Sequence, residues 1–498
     1  MELQQAVEKL KKLERTMHAH NHAMGILYYD ALTTAPSGSS EARGVTLGVL
    51  SEEDYKLFVN DEVKELLAYL DEHKAELDEQ TAREAHVLKE DFERMTRIPM
   101  DEYVAYEVLV NEAQDVWHKA KLDNDFAAFQ PYLERLVERN RKFAGYYDPD
   151  KKPYDALLDQ YEKGATMETL DAFFGRLKAA LVPLIAKIRD LPMRDDFLSR
   201  TYPADVQRKL SDELMRIMCV DRTHCGIGET EHPFTTDFSK YDVRITTHYY
   251  ENALASSMYS VIHESGHALY ELHTGDALQY GCLANGCSTG IHESQSRFYE
   301  NLIGRSEAFV GVLFPKLREL FPEQLADVTA DDFYRAVNRA QPSLIRTEAD
   351  ELTYCMHIII RYELEKRLIG GTLSVAELPA QWNALYKEYL GVDVPSDREG
   401  VLQDSHWSSG SFGYFPSYAL GSAYGAQIMA RMRQDVDVDA VVRTGSLQPI
   451  NDWLEEHLHR FGKMYDPSEM LERTVGAPFD PQYYIDYLTQ KYTALYHL

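Results

Sequence analysis

Residues 263–267 read His-Glu-Ser-Gly-His. Two imidazoles four positions apart on a helix share one face, with Cβ atoms about 5–6 Å apart, and can converge on a single metal ion. Zinc suits such a pair. Glu264 projects one position round the helix, beside the open coordination position. There it can take a proton from water that the metal has acidified. The expected chemistry is metal-assisted hydrolysis, with His263 and His267 as ligands and Glu264 as general base.

A catalytic zinc takes three protein ligands and keeps one position open. Residues 290–301, GIHESQSRFYEN, form a helical candidate able to return antiparallel to the first helix. Glu293 is the expected third ligand and His292 its competitor, because adjacent helical residues cannot both face the metal. The longer pattern H-E-x-x-H-x-x-G-x-x-H is not met: position 270 is Tyr where Gly is required, so His273 is set aside. Gly266 weakens a helix by about 1 kcal/mol relative to Ala and calls for a packing reason.

The elements that must position these residues are helices. Residues 252–273 carry Leu254, Met258, Val261, Ile262, Leu269 and Leu272 on one side, with Gly275 as a stop. Residues 2–24 place Leu3, Val7, Leu10, Leu13, Met17 and His20 on one helical face. Residues 61–95, 103–145, 167–190 and 203–219 also read as helix, and the Asp-Pro-Asp-Lys-Lys-Pro run at 148–153 as a turn. Residues 347–368 predict a long amphipathic helix, capped by Thr347 with Asp350 and stopped by Gly370 and Gly371. Strand signal is clear only in residues 241–250, YDVRITTHYY. The fold class is therefore mainly α, with a small β-sheet beside the zinc helices.

Residues 400–425 are rich in Gly, Ser and aromatics and read as either a functional irregular segment or an ordinary surface loop. No repeat, low-complexity run or long linker divides the chain. A single domain over residues 1–498 is expected, its N-terminal helices to about residue 200 able to cover a groove, with the site motifs within about 230–425.

The net charge of -29, from 81 acidic against 52 basic residues, repels polyanions and argues against nucleic acid or anionic membrane as partners. Five cysteines make no disulfide framework, and neither Cys219 with Cys225 nor Cys282 with Cys287 has the two-residue gap of a zinc knuckle. They read as small buried residues. The N-terminal run MELQQAVEKLKKLERT has no apolar h-region, and no stretch is apolar for long enough to span a bilayer. A soluble, cytoplasmic protein is expected.

Further motifs accompany the zinc pattern. In chain order they are His232-Pro-Phe234, Asp242-Val-Arg-Ile-Thr246, His263-Glu-Ser-Gly-His267, His292-Glu-Ser-Gln295, Ile345-Arg-Thr-Glu-Ala-Asp350 and Gly400-Val-Leu-Gln-Asp-Ser-His-Trp407. By these six the chain resembles the carboxypeptidase Taq family of metallocarboxypeptidases. Tyr29-Asp30 through Arg43 looks like the same family's early stretch. The resemblance implies a large helical fold with a deep active-site groove, a small sheet lining it, and a homodimer. It also implies removal of single residues from free peptide C-termini with broad specificity, proline being disfavoured. By motif match it gives His263, His267 and Glu293 as metal ligands and Glu264 as base, with zinc as the metal and cobalt as a substitute.

Other roles are candidates. Hydrolysis needs a donor for the oxyanion besides the metal, and the aromatic segment offers His406, Tyr414 and Tyr418. His406 and Tyr418 are favoured because more distant helical relatives such as thimet oligopeptidase show a similar arrangement. A free carboxylate is best held by a bidentate Arg: Arg346 first, Arg244 second, Arg297 third. His232 is a substrate-contact candidate by resemblance, while physics alone makes it a turn residue. Ligand histidines need an acceptor behind them, with Asp350 and Asp404 as candidates. The competing functions are a helical zinc oligopeptidase cutting internally and an inactive zinc-stabilised scaffold.

Overall fold

The computed structural model describes residues 2–498. The chain is mainly helical, with one three-stranded sheet. The N-terminal helices are α1 (Leu3–Thr33), α2 (Ser40–Phe58), α3 (Asp61–Glu72) and α4 (Glu79–Arg97). Ala6, Leu10 and Leu13 of α1 pack with Val63, Leu66, Leu67, Leu70, Leu88 and Phe92 of α3 and α4 in a small core of their own. The large second core takes in the rest of the molecule from Leu109 onward. The two apolar clusters therefore divide close to the end of α4.

Two long helical runs are each broken once. Residues 61–95 divide after Glu72, where Asp78 starts α4 by accepting from Thr81 N. Residues 103–145 divide at Asn124, which is left-handed (φ 56°), and Asp125 caps the next helix by accepting from Ala128 N. The long helix expected from Thr347 starts later, as Glu351–Ile369, because the Asp350 carboxylate accepts from both Leu352 N and Thr353 N. It is not amphipathic. It runs through the core with His357, Arg361 and Glu365 fully buried. Residues 400–425 are irregular only in their first half, since Pro416–Met432 is a helix with Pro at its first position.

The expected strand is β3 (Asp242–Thr247), joined by β1 (Cys225–Glu229) and β2 (Thr235–Ser239) in the order β1-β3-β2. β1 pairs β3 in parallel and β2 pairs it antiparallel, with Thr235 opposite Ile245. Val243 and Ile245 are fully buried in the main core. Arg244 between them faces the other way, its guanidinium 5.0 Å from the ring centre of Tyr29 on α1.

Two helices carry the zinc motifs. The histidine helix is Leu254–Leu272 and the glutamate helix Thr289–Arg297, continued by a wider π-helical segment, Phe298–Gly304. A third, Pro416–Met432, packs across the glutamate helix. Glycine sets both contacts. A Cβ at Gly266 would lie 2.7 Å from the carbonyl oxygen of Gln295, and one at Gly421 2.7 Å from Cβ of Glu293. The packing reason for Gly266 is thus direct contact between main chains. A groove of about 1100 Å³ opens over these helices, walled on its far side by α4 and residues 147–164.

Candidate metal centre and groove

His263, His267 and Glu293 present one ligand atom each within 4.8 Å of one another. Nε2 of His263 and His267 lie 3.9 and 3.6 Å from Glu293 Oε2. Zinc bond lengths near 2.0–2.2 Å place tetrahedral ligands roughly 3.3–3.5 Å apart, so the trio fits such an ion after drawing in by a few tenths of an ångström. The donor set, two imidazoles and a carboxylate, is that of a borderline-soft divalent cation.

The far sides of the three side chains are all held. His263 Nδ1 lies 2.8 Å from Glu300 Oε2, which leaves Nε2 facing the centre. His267 Nδ1 lies 2.6 Å from His292 Nδ1, whose Nε2 is in turn 2.6 Å from Glu271 Oε1. His292, the competing ligand, thus stands behind His267 rather than beside it. Arg297 Nε donates to Glu293 Oε1 at 2.8 Å, so the carboxylate divides its oxygens between the guanidinium and the centre. Arg297 Nη1 also donates to Glu300 Oε2, and Arg305 to Glu300 Oε1, both at 3.2 Å.

These contacts set the charges. Burial pushes Glu293 up, but the Arg297 charge and the two imidazoles outweigh it and hold the carboxyl well below its usual range. Burial pushes His267 down to about 3, so it stays a neutral imidazole, the form a metal binds. Glu264 is buried, and Thr235 Oγ1 donates to its Oε2 at 2.6 Å. Burial raises the Glu264 carboxyl above its usual range. β2 therefore positions the general-base candidate, as the two helices position the ligand candidates.

Tyr414 and Tyr418 line the groove with Glu264 and Glu293, their rings 5.2 Å apart and T-shaped. His406 lies behind them, its Nε2 3.2 Å from the Tyr418 hydroxyl. Burial lowers His406 to about 4, keeping it neutral.

Several expected contacts are placed elsewhere. His232 is exposed in the turn before β2, and Pro233 and Phe234 of the same motif line the groove instead. Arg244 is held bidentately by Asp242, at 2.8 and 2.7 Å, between the Tyr29 and Phe238 rings on the sheet face turned to α1. Arg346 is buried, its Nε and Nη2 both 2.9 Å from Asp404 Oδ1 and its Nη1 donating to the Tyr354 hydroxyl. It sits behind the Tyr418 ring, 5.0 Å from its centre, and not in the groove wall. Arg297 is enclosed between Glu293 and Glu300. All three guanidiniums are engaged by internal carboxylates. Neither carboxylate proposed to orient a ligand does so: Asp350 caps a helix, and Asp404 pairs with Arg346 and Arg361.

Residues that take those places were missed. Glu300 lies seven positions after Glu293 and Glu271 four after His267, so helical phase puts each on the same face as that residue, from which Glu300 reaches His263 and Glu271 reaches His292. Glu162 carried no such signal. It is buried, accepts from Gly290 N at 2.9 Å, and fixes the start of the glutamate helix from residue 162 across the groove wall. The five cysteines are all free thiols.

Comparison with known proteins places the chain in a family. The family model for carboxypeptidase Taq (M32) metallopeptidases matches residues 9–492. Carboxypeptidase 1 of Bacillus subtilis is 41% identical over 489 residues, covering 98% of this chain and 97% of its own. Thermostable carboxypeptidase 1 of Pyrococcus furiosus is 32% identical over 501 residues, covering 98% of each chain. Among solved structures, the M32 carboxypeptidase from Deinococcus radiodurans R1 superposes with a TM-score of 0.97 at 35% identity, over 99% of this chain and 100% of that one. With a family model spanning nearly its whole length and relatives this similar end to end, the chain belongs to the carboxypeptidase Taq (M32) family of metallopeptidases, and is by that membership a metallocarboxypeptidase, a peptide hydrolase.

Proposed function

We propose that the enzyme is a zinc carboxypeptidase that removes single residues from the free C-termini of peptides with broad specificity. The supporting observation is the convergence of His263 Nε2, His267 Nε2 and Glu293 Oε2 beside the Glu264 carboxylate at the floor of a groove. His263, His267 and Glu293 would hold a zinc ion, with cobalt as a substitute, and the ion would supply Lewis acidity toward the scissile carbonyl and water.

The chain's own residues do the rest. Glu264, held by Thr235, takes the proton of the attacking water and delivers it to the leaving amine. His406, neutral and protonated on Nε2, donates to the Tyr418 oxygen and leaves the tyrosine hydrogen free for the developing oxyanion. Tyr414, at right angles to Tyr418, flanks the substrate. Arg346 supports this wall from behind by holding Asp404 and Tyr354. The N-terminal helices cover the groove, and the enzyme works as a cytoplasmic homodimer. Among the described residues no helix is long and apolar enough to cross a membrane.

One peptide offered as free acid and as C-terminal amide tests this. Stepwise loss of terminal residues from the acid alone is expected in mass spectra. Internal cuts in both forms would replace the exopeptidase reading with an oligopeptidase one, and stoichiometric metal without cleavage would favour a scaffold. The orienting contacts are testable separately. Glu300→Ala removes the acceptor behind His263 and is expected to weaken zinc retention by about 10–100-fold, measured by competition with a chromophoric chelator. Unchanged retention would show that Glu300 does not orient the ligand.

A further inference from the structure

A carboxypeptidase must recognise a carboxylate, yet the three arginines best suited by sequence are engaged by internal acids outside the groove wall. The groove lining itself carries other cations. Arg83 pairs with Asp466, Arg94 with Asp91, Arg97 with Glu93, Lys151 with Asp159 and Lys163 with Glu90. Lys463 lines the same groove and, among the described residues, has no carboxylate within 4.0 Å.

Its backbone is fixed where this matters. Lys463 N donates to Leu283 O at 3.0 Å, and its own carbonyl accepts from Arg83 Nε at 3.1 Å. Lys463 is thereby pinned to the connection between the histidine and glutamate helices, and it shares the lining with Gly286, Cys287 and Ser288 at the start of the glutamate helix. Its side chain is half-buried. Its charge also reaches Asp237 and Cys287, pulling both slightly down against a burial that raises them. In a protein of net charge -29, an unpaired ammonium on the wall of an otherwise ion-paired groove offers an anionic group of a peptide a positive charge that no internal acid engages.

We infer that Lys463 is a substrate-carboxylate subsite, its ammonium donating to a carboxylate oxygen of the bound peptide. This rests on the carboxypeptidase reading above and deepens it. The carboxylate has two sources, the peptide's own terminus or an acidic side chain near it, and both present the same group to the ammonium.

The test compares wild type, Lys463→Met, which keeps the stem and removes the charge, and Lys463→Arg, which keeps the charge. The substrates are zinc-enzyme assays on neutral peptides with free C-termini and on the same peptides carrying Glu at the last or the penultimate position. A charge-assisted hydrogen bond lost on substitution corresponds to a rise in KM of about 10–100-fold, with kcat nearly unchanged in Lys463→Met and KM largely restored in Lys463→Arg. A rise for every peptide assigns the terminal carboxylate. A rise confined to the Glu-bearing peptides assigns the side chain. Equal KM for wild type and Lys463→Met on all of them overturns the subsite. Equilibrium binding of the same peptides to zinc-loaded Glu264→Gln, with and without Lys463→Met, reads recognition without turnover, so equal Kd values overturn the subsite even if wild type proves not to be a carboxypeptidase.

Discussion

Glu264→Gln is expected to lower kcat by roughly 10²–10⁴-fold, the range a positioned acid–base group contributes, while metal binding and KM change little. The side chain is the same size and keeps an oxygen for the Thr235 hydroxyl, which now donates to Glu264 Oε2 at 2.6 Å. What is lost is the ability to accept a proton from water and to hand it to the leaving amine. One residue serves both transfers, so no second base shares the loss. The ligand atoms of His263, His267 and Glu293 are untouched, because their outer contacts run to Glu300, His292 and Arg297. Steady-state kinetics on a free-acid peptide, with metal content measured on the same preparation, checks this. A variant that keeps its metal and more than a tenth of wild-type kcat would remove Glu264 from the role of base.

Arg297→Met is expected to destabilise the metal-free protein by about 3–5 kcal/mol, the range for breaking a buried ion pair from one side. Arg297 lies between two buried carboxylates, donating to Glu293 at 2.8 Å and to Glu300 at 3.2 Å. Burial pushes both carboxyls up, and the Arg297 charge is the largest influence holding each well below its usual range. Without it the two acids are left with the His263 and His267 imidazoles and Arg305 for compensation. A zinc ion on Glu293 supplies positive charge at the same place. The loss in Tm should therefore be larger in chelator than in zinc, and calorimetry of wild type and variant under both conditions gives the comparison. Equal losses in the two conditions would mean that Arg297 serves packing against the Tyr354 ring, 4.5 Å away, rather than charge compensation.

Local pattern carried the candidate trio. His263 and His267 are related by one helical turn, and Glu293 lies on the next helix, so period and spacing were enough to name three side chains that the fold brings within 4.8 Å of one another. The general shape was legible for the same reason: α1, the Met167–Ile188 helix and the Ala204–Ile217 helix follow their apolar faces. What failed was tertiary. β1 (Cys-Gly-Ile-Gly-Glu) and β2 (Thr-Thr-Asp-Phe-Ser) have weak strand character and are strands because β3 pairs with both. The arginines were chosen because guanidinium matches carboxylate, and that same match lets Asp242, Asp404 and Glu293 engage them internally. Only for Arg346 is the partner, Asp404, distant in sequence; Asp242 lies two residues from Arg244 and Glu293 four from Arg297, within reach of a local reading. The helix at Glu351–Ile369 looked amphipathic because Arg361 and Glu365 are charged, yet both are buried and bonded, to Asp404 and to the Trp407 indole.

The glutamate helix lies between two glycines, Gly266 on one side and Gly421 on the other, each within contact distance of it at the level of main chain or Cβ. Main-chain atoms cannot be exchanged by substitution, so the spacing of the ligand-bearing helices does not depend on which apolar side chains fill the surrounding core. A core residue can grow or shrink and its neighbours repack while the gap between His267 and Glu293 stays put. The geometry of the candidate metal centre is thereby insulated from sequence drift in the core, provided positions such as 266 and 421 stay small.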